Sequence, residues 1–206
     1  MSRKEKEREL RKRNIVVAAE KLFFEKGYDK VTMDEIAQAS EFSKPTLYKY
    51  FRSIEEVYLL VHMNGLKVRM KCVEEMDKFK SGEDKLYEFG RSFYDYAKNN
   101  PEYFKLQIYW DYNDLNLDKI SPEVISEITS QTQIPDNKIR EAIQLVSNGT
   151  DFLEKKSLDM TLAAFYLTLR TILNQVLKTP KHGEIFCDEP ELYFNYLRIF
   201  IRGLKK

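Results

Sequence analysis

The chain has 206 residues, 43% of them hydrophobic and 33% charged, with a formal net charge of +1 and two cysteines. This composition fits a soluble, helix-rich protein of one large domain or two small ones. No stretch approaches the roughly 20 apolar residues of a membrane span and the basic N-terminus precedes no apolar signal region, so a cytoplasmic protein is expected. Cys72 and Cys187 lie far apart without cysteine neighbours. That spacing argues against a disulfide framework or a metal knuckle and for buried free thiols.

The near-zero charge hides an uneven distribution. Residues 1–13 hold seven Lys/Arg against three Glu, a net +4. Such a segment could follow DNA phosphates or enter a minor groove. Equally, it could be a solvated tail whose alternating Lys and Glu extend the first helix through i,i+4 pairs.

In chain order, Ile15, Ala18, Ala19, Leu22 and Phe23 recur at the spacing of one buried helix face, and Gly27 ends that helix. Thr32 and Glu35 form a capping-box pattern opening a second helix, with Ile36 and Ala37 as its small apolar face. After a tight turn, Ser43 reads as the N-cap of a third helix. Pro45 falls in its first turn, where the missing N–H costs little. Leu47 and Phe51, four apart, point into a core. Ser53 and Glu56 repeat the capping pattern before a long fourth helix to about Lys80, with a possible bend at Gly65.

Ser81-Gly82 breaks the chain, residues 83–99 read as helix five, and Pro101 opens helix six. A looser segment, 111–118, precedes the helix start Ser121-Pro122-Glu123. Pro135-Asp136 is expected to start another helix, fading at residues 147–150. A long apolar helix runs from Ser157 to Leu177 and is stopped by Thr179-Pro180. A last one runs from Asp188-Glu189-Pro190 to Gly203. The expected fold is all-α, with about nine or ten helices.

The run from Thr32 to Phe51, T-x-x-x-I-A-x-x-x-x-x-S-K-x-T-L-Y-x-Y-F, has the layout of a helix-turn-helix DNA reader. Together with Phe23 to Tyr28 before it and Ser53 to Val57 after it, the run resembles the tetracycline-repressor (TetR) family of bacterial transcription regulators. The resemblance covers roughly the first 60 residues and is specific, because capping, turn and core positions agree together. Two positions depart from the family pattern: Glu41 stands in the turn where glycine is frequent, and Ile54 where a lysine is common.

The resemblance implies an N-terminal helix-turn-helix domain, residues 1–53, and a C-terminal effector-binding and dimerisation domain, residues 54–206. Ser43 would cap the recognition helix, and Lys44, Pro45 and Thr46 would face base edges. Tyr48, Lys49 and Tyr50 would hold phosphates, with Thr32 and its helix end supplying another phosphate contact.

Ten aromatic residues fall between Tyr87 and Tyr112. They suit a pocket for an apolar or aromatic small molecule, or ordinary core packing. The resemblance makes Phe93, Tyr96, Phe104, Tyr109 and Trp110 candidate ligand contacts. Arg170 and Asn174, one turn apart on an otherwise apolar helix, could anchor a polar end of the ligand or equally lie on the helix's solvent face. The stripes Leu162, Phe165, Tyr166, Leu169, Leu173, Val176, Leu177 and Leu192, Tyr196, Ile199, Phe200, Leu204 could be core or a two-fold interface. The resemblance implies a homodimer built on these last two helices.

Enzyme readings find no support. His62 and His182 are far apart, and the chain has no phosphate-cradling glycine loop and no nucleophile elbow. No catalytic residue, metal or cofactor is expected. The combined reading is a ligand-responsive regulator, a repressor released from a double-stranded DNA operator by an apolar or aromatic effector. Two alternatives stay open: a dimeric DNA binder without an effector, and a helical interaction module that has lost DNA binding.

Overall fold

In the computed structural model, residues 2–113, 115–147, 155–178 and 189–205 are described. Among them are nine α-helices and no strand. They are α1 (Arg3–Lys26), α2 (Met33–Ala39), α3 (Lys44–Leu47), α4 (Ile54–Met76), α5 (Gly82–Asn99), α6 (Pro101–Tyr112), α7 (Pro122–Ser147), α8 (Lys155–Lys178) and α9 (Glu189–Gly203). The all-α expectation therefore holds. Cys187, His182 and the stop at Thr179-Pro180 lie outside the described residues.

The basic N-terminus is helix. Ser2 caps α1, its side chain accepting from the Glu5 N–H while the Glu5 carboxylate accepts from the Ser2 N–H. Arg11 pairs with Glu7 one turn earlier. The Lys/Glu alternation thus extends the first helix and does not form a loose tail. Ile15, Val16, Ala19 and Phe23 are its buried face. Gly27 ends the helix at φ 80°, ψ 159°, a conformation that glycine alone adopts without strain.

The helical chain divides into two compact units, one of Met1–Leu66 with Glu102–Gln131, the other of Lys67–Pro101 with Thr132–Lys206. This division does not fall at residue 53, because the first turns of α4 and most of α6 share the core of the helix-turn-helix. Val57, Tyr58, Val61 and Leu106 are buried in one cluster with Phe23, Ile36, Leu47 and Phe51. In the second unit, α5, α8 and α9 pack on one another. Their core includes Phe89, Phe93, Phe165, Leu169, Leu173 and Tyr193.

Two expectations about helices need correction. Pro135 starts no helix: it lies inside α7, which continues from Pro122 to Ser147. Proline already has a helical φ, and its missing N–H removes only one hydrogen bond, that to the carbonyl of residue 131. The division between the units falls at that same residue. Next, α4 stops at Met76, short of Lys80. Gly65 within it also has a packing role: a Cβ there would stand 3.0 Å from Cδ1 of Tyr103.

Candidate nucleic-acid interface and the aromatic clusters

Thr32 and Glu35 cap α2 as their spacing predicts. The Thr32 hydroxyl accepts from the Glu35 N–H at 3.3 Å, and the Glu35 carboxylate accepts from the Thr32 N–H at 2.9 Å. The same carboxylate pairs with Lys26 at 2.7 Å. Lys26, then the Thr32 backbone, hold it below the usual carboxylate range. Both Thr32 donors, N–H and hydroxyl, thus go to Glu35.

At the other end of α2, the Glu41 N–H donates to the Gln38 carbonyl at 3.2 Å and the Phe42 N–H to the Ala37 carbonyl at 3.0 Å. These two bonds make a Schellman turn. Its left-handed residue is Glu41, at φ 60°. The place where glycine is frequent in the resembled family is therefore the place where this backbone needs a left-handed residue.

The third helix is shorter than its pattern suggests, with one α turn, Lys44–Leu47, and tighter turns to Phe51. Ser43 has the extended backbone of an N-cap, but its side chain makes no capping bond. The Ser43 and Thr46 hydroxyls instead share a hydrogen bond of 2.8 Å. Leu47 and Phe51 are buried against Ile36 and Phe23, which locks the orientation of the turn. Ser43, Lys44, Pro45, Tyr48 and Lys49 are exposed, while Thr46 and Tyr50 are half-buried.

Lys44 reaches back to Asp34 at 2.8 Å, which raises its pKa above the ordinary lysine value. Tyr50 packs on the core cluster. Ile54 also packs on that cluster, so an apolar contact occupies the place of the family's lysine. At the start of α4, Ser53 accepts from the Glu56 N–H at 3.2 Å, but the Glu56 carboxylate turns to the Arg52 N–H and the Ser121 hydroxyl. This half-box ties α4 to the start of α7.

The candidate ligand contacts divide between the two units. Phe104, Tyr109 and Trp110 belong to the first unit, and Phe93, Tyr96, Arg170 and Asn174 to the second. Tyr109 packs on Tyr28 at 4.9 Å and on Tyr58 at 5.9 Å, and its hydroxyl donates to Asp29 at 2.6 Å. Trp110 stacks on His62 at 5.9 Å. These aromatics pack beside the helix-turn-helix core; sequence proximity to Phe93 had grouped them with it. The side chain of Tyr112 lies outside the description.

In the second unit, Phe93 and Tyr96 stack at 5.9 Å, and both are buried. Burial pushes the Tyr96 hydroxyl up to about 12. Arg170 lies over the Tyr166 ring at 5.4 Å, and Asn174 is half-buried. Arg69 joins this group and was not among the sequence candidates. Its guanidinium lies 5.9 Å from the Phe93 ring centre and 5.8 Å from that of Tyr166. The signal was present: Leu66, Arg69, Val73 and Met76 recur at i, i+3, i+7 and i+10, placing a cation in the register of an apolar face.

The family profile described as bacterial regulatory proteins, tetR family, matches residues 15–61. That span holds the capping box, the Schellman turn and the Leu47–Phe51 lock. Over residues 15–61 the chain is a TetR-family regulatory protein. Among curated TetR relatives, it is 26% identical over 129 residues to the HTH-type transcriptional activator FasR of Mycolicibacterium smegmatis, covering 61% of this chain and 55% of that one. It is 32% identical over 122 residues to the Staphylococcus aureus negative regulator of the biofilm operon, IcaR, covering 51% of this chain and 63% of that one. The match thus spans little more than half the length of these relatives.

A solved TetR-family regulator from Rhodococcus RHA1 has the same fold, with a TM-score of 0.63 at 16% identity over 95% of this chain and 97% of that one. The fatty acid degradation regulator FadR of Bacillus halodurans gives a TM-score of 0.62 at 17% identity, over 92% and 94% of the two chains.

Proposed function

We propose that this TetR-family chain is a homodimeric transcriptional regulator that reads a double-stranded DNA operator and is released from it by a small molecule with an apolar or aromatic body. Residues 1–53 act as the reading head and residues 54–206 as the effector-binding and dimerisation part. One observation carries the reading: Leu47 and Phe51 anchor a short recognition turn that leaves Ser43, Lys44, Pro45, Tyr48 and Lys49 outside.

Lys44, Pro45 and Thr46 address base edges, and Tyr48 and Lys49 address phosphates. Lys44 exchanges Asp34 for DNA, an exposed pair whose loss costs little. Tyr50, packed on the core, supports the surface from behind.

A single short recognition turn reads few base pairs, so two copies about 34–36 Å apart are needed. The second unit offers the surface for pairing. Along α8 and α9, Met160 is 68% and Ile199 65% exposed, with Leu167 and Tyr196 also outside. The stripe of α8 singled out from the sequence, by contrast, faces inward almost throughout: Leu162, Phe165, Tyr166, Leu169, Leu173 and Val176 are buried within the chain. The dimer face is the other side of the same helix. Effector and operator then weaken each other reciprocally through α4, which supplies residues to both units.

Genome-wide footprinting with purified protein tests the reading. It requires saturable, salt-sensitive, two-fold sites. Tyr48→Ala should weaken all of them alike, whereas Thr46 substitutions should shift sequence preference. Absence of any saturable site refutes the reading. For the interface, Ile199→Glu should yield a folded monomer in sedimentation, and a dimer that persists unchanged refutes that face.

A further inference from the structure

Among its described residues, the second unit buries a cation without supplying it an anion. Arg69 is 7% exposed. Among the described residues it makes no hydrogen bond or ion pair, and its contacts are the ring faces of Phe93 and Tyr166. Ring faces offset part of the loss of water, but they leave the five guanidinium donors without acceptors. Arginine cannot escape by losing its proton, as a buried lysine does.

Carboxylates are present nearby and are already engaged. Glu88 and Asp95 both bind the exposed Arg91, at 2.5 and 2.9 Å, and Glu88 also accepts from Ser92. Asp136 accepts from the Tyr166 hydroxyl at 2.9 Å. Arg170 also lies over the Tyr166 ring, its Nε donating to the Tyr166 carbonyl at 3.3 Å. Cys72 adds no negative charge, since burial pushes its thiol up to about 12.

We infer that Arg69 is the counter-ion for an anionic effector, an amphipathic monocarboxylate whose apolar body lies among Phe89, Phe93, Tyr96 and Tyr166. A planar guanidinium presents a fork that matches a carboxylate with two parallel hydrogen bonds. The aromatic surroundings exclude water and so strengthen that pairing. Such a binder discriminates by the charged group: an alcohol of the same shape leaves the buried fork unpaired. The inference gives the effector of the proposed regulator its chemical class and rests on that reading for its purpose, but its test needs no DNA.

Calorimetric titration at pH 7.5 with decanoate against decanol, and 1-naphthoate against 1-naphthalenemethanol, measures the preference directly. In the unaltered protein at least one acid should bind at least tenfold tighter than its alcohol. Arg69→Met should remove that preference while melting no lower than the parent, because it replaces a buried charge by an apolar side chain of similar length. Arg69→Lys keeps the charge but not the fork, and should weaken the acid at least fivefold with the alcohol unchanged. That variant decides the matter should Arg69→Met fail to fold.

The inference is overturned if neither acid outbinds its alcohol, or if either variant keeps the full preference. It is also overturned if Arg69→Met folds but melts well below the parent, which would make Arg69 a structural clamp. Failure here leaves operator binding standing, and failure of footprinting leaves acid binding standing.

Discussion

Replacing Glu41 by glycine should make the reading head more stable. Glu41 is the left-handed residue of the Schellman turn between α2 and α3, at φ 60°. That conformation costs an L-residue about 1–2 kcal/mol through contact of its Cβ with the backbone. Glycine avoids this cost but loses about 0.5–1 kcal/mol more in chain entropy on folding. The difference favours Glu41→Gly by about 0.5–1 kcal/mol. Removing a carboxylate from the carboxyl end of α2 acts in the same direction, but an exposed charge there contributes little in ordinary salt.

Trp110 is the only tryptophan and belongs to the first unit, so its fluorescence during urea unfolding reports the part of the chain that contains Glu41. With a urea slope of about 1.5 kcal/mol/M, the midpoint should rise by about 0.3–0.7 M. Glu41→Ala and Glu41→Gln keep the Cβ in the left-handed position and should stay near the parent. A lower midpoint for Glu41→Gly, or an equal gain from Glu41→Ala, would refute the reasoning.

Gly82→Ala should destabilise despite alanine's better helix propensity, because its Cβ would stand 2.4 Å from the Ala142 carbonyl oxygen and 2.9 Å from the Val146 nitrogen. Separating α5 from α7 costs about 1–3 kcal/mol against a propensity gain of about 1, so thermal unfolding by circular dichroism should fall by a few degrees; an unchanged melting temperature contradicts the contact. In a Cys187→Ser background, alkylation of the buried Cys72 at pH 8 should follow unfolding, and labelling within seconds under native conditions would contradict its burial.

Acid should weaken the second unit through Glu88, which hydrogen bonds from Arg91 hold below the usual carboxylate range against the opposing effect of burial. A depressed folded pKa means that this contribution is present above the unfolded value of about 4.3 and is lost as pH falls through the lower folded one. Glu88→Gln should therefore be less stable at pH 7 yet lose less stability between pH 5 and 3. Parallel curves for parent and variant would exclude Glu88 as a contributor.

Local patterns settled much of the reading head. The Thr32–Glu35 capping pair, Gly27 and the Leu47–Phe51 spacing act within one or two turns of chain, so they are legible in the sequence and recur in the structure. The same holds for the start of α6 at Pro101 and for the all-helical class. Glu41 belongs here as well, because the departure from glycine already marks the residue that must take a left-handed backbone.

Tertiary structure decided what depends on neighbours distant in sequence. Pro135 reads as a helix start because proline is usually excluded from helix interiors, yet α7 continues through it. Tyr109 and Trp110 sit in the same aromatic run as Phe93, but α6 carries them to the helix-turn-helix core while α5 keeps Phe93 in the second unit. The α8 stripe could not reveal by itself which apolar face turns inward, since periodicity shows that a face is apolar and not what covers it. Arg69 is the sharpest case. Its register on α4 was visible, but only the folded chain shows that the nearby carboxylates are committed to Arg91 and Tyr166.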